Sequence, residues 1–366
     1  MTEPMKPRNK DYGPQTIMVR APNWVGDAVM ALPALRELRR IFSEAQITLV
    51  ARPWVAGLFE GEGLADNLIP VHDGKGFVQR VRNAFDEARQ LKRERFNLAV
   101  LFQNAFGAAL MARVAGAKQI AGYATDRRGA LLDLVVPFEP NHKTAHQVRY
   151  YLNIAATLER AFTGEAGVNF NATPQLHSDD ELRERGRLIL EREIASSNLA
   201  RSPILALSPG ATNSRAKRWL PERFASTADQ LSETNAFQTV IVGTAGDVEA
   251  ANEVASRMHT AAVVLAGRTS IAELKAVLAC TSLVISNDTG TAHVSAALGV
   301  PTVVVFGPTE HFSTRPLSPT AAVVRHDVEC SPCMLRDCPI DHRCMTRVEN
   351  DEVYSACQGL LMSTAH

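Results

Sequence analysis

The amino-acid sequence predicts an α/β protein built from two Rossmann-like, doubly wound domains that face a cleft. Three observations lead there. The chain has 366 residues, and at roughly 150 residues per domain a single compact core is disfavoured. Short apolar strands alternate with helical stretches, the pattern of a parallel sheet covered on both faces. The alternation breaks near 163–202 and then begins again, so the chain reads as two such domains.

A polar, proline-bearing tail spans 1–15. The first strand follows at 16–20 (TIMVR), then a turn at 21–23 and a helix over 27–42, where apolar groups recur at helical spacing. Further strands are expected at 46–51, 67–71 and 97–102, with helices near 77–95 and 105–115. The stretch TGEAGVNFNATPQLHSDD is polar and carries Gly and Pro, and 179–196 reads as a charged helix. The second set of strands falls at 204–207, 238–242, 282–285 and 301–306, each running into a Gly/Ser/Thr/Asp loop and then a helix. A last helical segment covers about 349–363. The expected division is a tail (1–15), an N-terminal domain (16–175), a C-terminal domain (176–348) and a closing helix (349–366) that packs back toward the N-terminal domain. In open α/β sheets ligands bind at the carboxyl ends of strands, so the loops there are the places to search.

Composition narrows the function. With 46% hydrophobic and 21% charged residues the chain folds, and 39 Lys+Arg against 39 Asp+Glu argue against a nucleic-acid partner. The neutral total hides a split: residues 1–170 hold 22 basic and 17 acidic residues, the remainder 17 and 22. Two halves of opposite sign suggest two different ligands. The start has no apolar signal region, and no stretch approaches the roughly 18–20 apolar residues of a membrane span, so a cytoplasmic protein is expected. Its six cysteines then read as reduced thiols or metal ligands.

Several nucleotide motifs are missing. Gly61-Glu62-Gly63 and Gly74-Lys75-Gly76 both fail at the third glycine of G-x-G-x-x-G, and neither a P-loop nor a D-x-D metal motif occurs. What remains are three loops. Ser208-Pro209-Gly210-Ala211-Thr212 through Lys217 follows a strand and precedes a helix near Pro221. Its small residues let backbone N–H groups approach an anion, and Lys217 adds a full charge for a diphosphate; the alternative is an ordinary strand–helix turn. Asn287-Asp288-Thr289-Gly290-Thr291-Ala292-His293 is its counterpart, with Asp288 as helix cap and His293 facing back toward the loop, or else a cap and a core histidine. Asn23-Trp24-Val25-Gly26-Asp27 follows the first strand. Asp27 is either a general base, its pKa lifted by burial, or the N-cap of the following helix.

Taken together, WVGDAVMALPAL (24–35), SPGATNSRAKRW (208–219), SNDTGTAH (286–293) and FGPT (306–309) resemble the ADP-heptose:lipopolysaccharide heptosyltransferases over about 16–350. The cysteine run from Cys330 to Cys344 looks like that of the heptosyltransferase II group. The resemblance implies a GT-B fold, ADP-heptose as donor on the C-terminal domain, and a lipid A-linked inner core as acceptor on the N-terminal one. It further implies an inverting, metal-independent transfer of heptose onto a core heptose, at the cytoplasmic face of the inner membrane with peripheral contact. Asp27 matches the family's base and Lys217 the lysine on the diphosphate. Asp288, Thr289, Gly290 and His293 match the nucleotide-sugar loop, and Asp247 stands where the family commonly has the ribose-holding Glu. Rival readings are heptosyltransferase I, a transferase for another core sugar, a nucleotide-sugar epimerase and a non-catalytic nucleotide-binding module.

Two further sets complete the candidates. Arg127, Arg128, Lys143 and Arg149 cluster in the positive half and are assigned to acceptor phosphates and carboxylates, against a scattered solvated surface. Cys330, Cys333, Cys338 and Cys344 are spaced C-x2-C-x4-C-x5-C, which allows a structural four-thiolate zinc site or a reduced, proline-pinned loop. No cofactor is required by this reading.

Overall fold

A computed structural model of the chain describes residues 13–72, 77–194, 202–212 and 214–364. The polar tail up to residue 12, part of the linker (195–201) and Asn213 lie outside the described residues. The chain divides into two compact units, residues 1–174 and 175–366.

The first unit carries the strands β1 (Thr16–Arg20), β2 (Gln46–Ala51), β3 (Asn67–Pro70), β4 (Leu98–Leu101), β5 (Gln119–Gly122) and β6 (Leu134–Val135). Its helices are α1 (Val25–Met30), α2 (Leu32–Ile41), α3 (Pro53–Ala56), α4 (Phe77–Arg93), α5 (Phe106–Val114) and α6 (Gln147–Thr163). The second unit carries β7 (Ile204–Ser208), β8 (Gln238–Ile241), β9 (Ala262–Val264), β10 (Leu283–Asn287), β11 (Thr302–Val305) and β12 (Ala321–Val324). With them come α7 (Asp180–Glu193), α8 (Pro221–Asn235), α9 (Val248–Arg257), α10 (Ile271–Ala279), α11 (Gly290–Ala297), α12 (His311–Thr314), α13 (Arg343–Thr346) and α14 (Asn350–Thr364).

Both sheets are six-stranded, in the orders β3-β2-β1-β4-β5-β6 and β12-β11-β10-β7-β8-β9, and every pairing is parallel. Read from the other edge, the second order repeats the first. Each is the doubly wound order 3-2-1-4-5-6, whose strand direction of winding reverses between the first and fourth strands. That switch point lies between β1 and β4 in one unit and between β7 and β10 in the other. Central strands are buried along their whole length, as covered parallel strands must be; β7 and β10 are buried at every position.

Four strands escaped sequence reading: β5, β6, β9 and β12. Three of them, β6, β9 and β12, are short edge strands and β5 lies beside one; β6 is only two residues long, too short to display an alternation. The helix expected over 27–42 is two helices with Ala31 between them. Pro33, near the start of α2, has no N–H to continue the α1 ladder and instead fits a first turn. The closing helix was expected to pack toward the N-terminal domain. Its packing surface is α8, β11 and β12, because Val353 and Cys357 are fully buried in the core of the second unit.

Candidate active site

The loop after β1 is held rigidly from below. Arg20 ends β1 but is only 2% exposed. Its Nη1 donates to the carbonyls of Ala21 and Val50, both at 3.0 Å, and its Nη2 to Asn23 Oδ1 at 3.0 Å. From above, Trp54 Nε1 donates to the Asn23 carbonyl at 2.9 Å. The chain then enters α1 with Trp24 as the capping residue, so Asp27 is the third residue of the helix rather than its N-cap. A carboxylate there is favoured by the positive end of the helix. Beside it lies Tyr151 of α6, whose phenol is pushed well above its usual pKa, first by burial and then by the charge of Asp27. Trp24, in the same loop, and Trp54, bonded to it, expose about half of their surfaces, at 55% and 49%. The result is a half-buried acid on a fixed loop that also bears one exposed indole and bonds a second.

The acceptor candidates separate. Arg127 and Lys143 are exposed. Arg149 pairs with Glu139 at 3.3 Å and lies 4.9 Å over the Phe170 ring. Arg128 is a correction: it is fully buried. Its Nε donates to the Tyr123 carbonyl at 2.8 Å, its Nη1 to the Gln103 carbonyl, and its Nη2 to Asn104 Oδ1 at 2.9 Å. It ties the β4 and β5 loops together, and its burial, not its charge, keeps it from the surface where an acceptor phosphate would arrive. Asn104 in turn donates to the Tyr150 hydroxyl at 2.6 Å, and burial pushes the Tyr150 phenol up to about 12. The two neighbours should therefore respond differently. Arg127→Glu should raise acceptor KM severalfold with an unchanged melting curve. Arg128→Met should cost on the order of 3 kcal/mol in denaturant unfolding, because buried carbonyls lose their donor.

In the second unit the predicted donor residues converge at the switch point. Lys217 closes a short 3-10 turn (Arg215–Lys217) after β7, and Asp288 follows β10. Lys217 Nζ lies 2.8 Å from Asp288 Oδ2. Thr309, in the loop after β11, donates its hydroxyl to the same oxygen at 2.7 Å. Asp288 therefore does not cap α11. The cap residue is Thr289, without a side-chain hydrogen bond to the helix, while its hydroxyl lies 3.2 Å from that of Ser286. Gly290 and buried His293 belong to the first turn of α11, and Ser208 is buried at the end of β7. Thr212 is exposed at the loop surface.

Asn287 is the fastener that sequence reading quoted but gave no role. Fully buried, its Nδ2 donates to the carbonyls of Pro209 and Gly210 at 2.7 and 3.3 Å, and its Oδ1 accepts the Trp219 N–H at 2.9 Å. One side chain thus fixes both ends of the Lys217 loop to β10.

Asp247, expected at the ribose, has a structural engagement of its own. It is 5% exposed, and its Oδ2 accepts from the Thr244 N–H at 3.0 Å and the Thr244 hydroxyl at 2.6 Å. Its other oxygen is 4.0 Å from Arg218. One of its two carboxylate oxygens is thus engaged in a capping box. It also packs so tightly on Gly210 that a Cβ there would sit 2.2 Å from Asp247 Cγ. Its observed work is to shape the Lys217 loop.

The cysteine run forms a lobe against that loop. Cys330, Cys333, Cys338 and Cys344 line one cavity with His342. Burial, followed by the charges of the other three, pushes the Cys344 thiol up to about 11. Cys338 Sγ accepts the His342 N–H at 3.3 Å. Among the described residues, no group of three or more His, Cys, Asp or Glu side chains is arranged to hold a metal ion. The lobe instead grips the Lys217 turn: Ala216 N–H donates to the Arg336 carbonyl at 2.9 Å, His342 Nε2 bonds the Ala216 carbonyl at 2.7 Å, and Arg215 pairs with Asp337 at 2.7 Å.

A sequence profile of glycosyltransferase family 9 (heptosyltransferase) matches residues 85–343. The lipooligosaccharide heptosyltransferase 2 of Campylobacter jejuni is 28% identical over 95% of this chain and 99% of its own length. The lipopolysaccharide heptosyltransferase 2 of Escherichia coli is 28% identical over 84% of this chain and 87% of its own. Among solved structures, the E. coli ADP-heptose lipopolysaccharide heptosyltransferase II superposes with a TM-score of 0.80 at 25% identity, covering 96% of this chain and all of that one.

Proposed function

Since the chain belongs to glycosyltransferase family 9, the heptosyltransferases, we propose that it moves heptose from ADP-heptose onto the heptose of a lipopolysaccharide inner core. The relatives named heptosyltransferase 2, matched along most of both chains, support this acceptor. The observation that carries the donor half is the Lys217–Asp288 pair at the carboxyl ends of β7 and β10, the crevice where doubly wound sheets bind nucleotides.

The reaction is a single displacement. Asp27 takes the proton of the acceptor hydroxyl as that oxygen attacks the anomeric carbon. The bond from that carbon to the ADP oxygen breaks on the opposite face, so the configuration inverts. Negative charge gathers on the departing diphosphate, where Lys217 and the free amides at the start of α11 offset it. This charge is supplied by side chain and backbone, and the sequence contains no D-x-D motif for a divalent ion. Trp24 and Trp54 offer apolar faces to the sugar whose hydroxyl Asp27 activates. Arg127 and Lys143 hold acidic groups of the lipid-linked core, which brings the protein to the cytoplasmic face of the inner membrane. Product analysis with acceptors carrying no heptose or one heptose tests the assignment. Transfer should be confined to the one-heptose acceptor, and preference for the heptose-free core would refute it.

A further inference from the structure

Helix α5 is inside out for a helix of a soluble domain. Its packed face consists of Ala108, Ala109 and Ala112, continued by Ala115, all buried. Of its larger apolar residues only Met111 packs against that core, and the other three point the other way. Phe106, Leu110 and Val114 recur at every fourth position and are 43%, 44% and 48% exposed, forming one stripe along the helix. Isolated exposed apolar residues are ordinary, whereas a contiguous stripe marks a surface that meets something apolar.

The charge around the stripe identifies what it meets. The exposed ionic residues between 86 and 118 are Asp86 against Arg89, Lys92, Arg93, Arg95 and Lys118, with Glu87, Glu94 and Arg113 half-buried. The last turn of α4, which packs beside α5, supplies Lys92 and Arg93. Lys118 is joined to the same end through its N–H bond to the Phe96 carbonyl at 3.1 Å. Apolar side chains on one face and flanking cations are the pattern of a helix lying in the interface of an anionic bilayer. No helix among the described residues is long and apolar enough to cross a membrane.

The other end of α5 is tied to the proposed acceptor site. Phe106 N–H donates to Asp126 at 2.7 Å, next to Arg127, and Gln103 N–H, just upstream, bonds the Arg20 carbonyl at 3.3 Å beneath the Asp27 loop.

We propose that the outward face of α5, with the basic end of α4, is the surface on which this protein docks to an anionic lipid bilayer. This rests on the lipid-linked acceptor assigned above and names the contact that presents it. Apolar insertion supplies the hold and the cations supply the choice of membrane. The experiment sediments the full chain with vesicles of phosphatidylglycerol and phosphatidylethanolamine, or of phosphatidylcholine alone, beside the double variant Leu110→Gln, Val114→Gln. The parent should bind the anionic vesicles, and the variant should bind them at least about tenfold more weakly. Both should turn over a deacylated, water-soluble acceptor equally. Equal vesicle binding by parent and variant overturns the proposal. So does a parent that ignores vesicles but forms a dimer which the substitutions dissociate, since a second copy then covers the stripe. Absence of transfer to the soluble acceptor by the parent would instead sink the transferase assignment and leave the vesicle result standing.

Discussion

Asp27→Asn should bind ADP-heptose as the parent does and lose about 10²- to 10⁴-fold in kcat, the range removed with a general base. The substitution keeps size and hydrogen bonding at the third position of α1, so the loop braced by Arg20 and Trp54 should stay in place. Only the proton acceptor disappears. Calorimetric titration with ADP-heptose and a turnover assay on the same preparation separate the two effects. Turnover within threefold of the parent would remove Asp27 from the base role. Lost donor binding would mean that the residue supports the nucleotide sugar instead.

The second large effect is expected at Lys217. Lys217→Ala should lower kcat/KM for ADP-heptose by about 10²- to 10³-fold, because the departing diphosphate loses its one assigned full charge. The same change leaves Asp288 with Thr309 as its remaining partner, a destabilisation on the order of 1–3 kcal/mol that a melting curve would register. Asp288→Asn separates these contributions. It retains the cation and a partner for Thr309 but releases Lys217 from its anchor, so it should weaken the donor less than Lys217→Ala does. If Asp288→Asn proved the more damaging for donor turnover, the carboxylate and not the lysine would be the group that matters there.

What sequence could and could not disclose follows from the range of each interaction. The Asp27, Lys217 and Asp288 loops were readable because a buried strand ending in small and polar residues is a local signal. That Lys217 meets Asp288, 71 residues away, follows from β7 and β10 being neighbours, which no local pattern encodes. Asn287 was visible as a letter in a motif, yet its bonds to Pro209, Gly210 and Trp219 are long-range, so its role was not. Arg128 was misjudged, and Arg20 passed over, for one shared reason. A charged residue reads as solvated unless its burial is known, and both guanidiniums are buried among backbone carbonyls. The capping role of Asp247 was overlooked although Thr244, three residues earlier, is a partner that the sequence displays. The outward stripe of α5 was hidden because periodicity reports an apolar face without saying which way it points.

The claim that Asp27 and Lys217 perform a direct displacement is tested most directly by ADP release in a chelated assay. With a one-heptose acceptor and excess EDTA, each ADP formed should match one heptose transferred, at the rate seen without chelator, and no ADP should form when the acceptor is omitted. Conversion of the sugar nucleotide without acceptor, or activity that returns only when a divalent cation is restored, would contradict it.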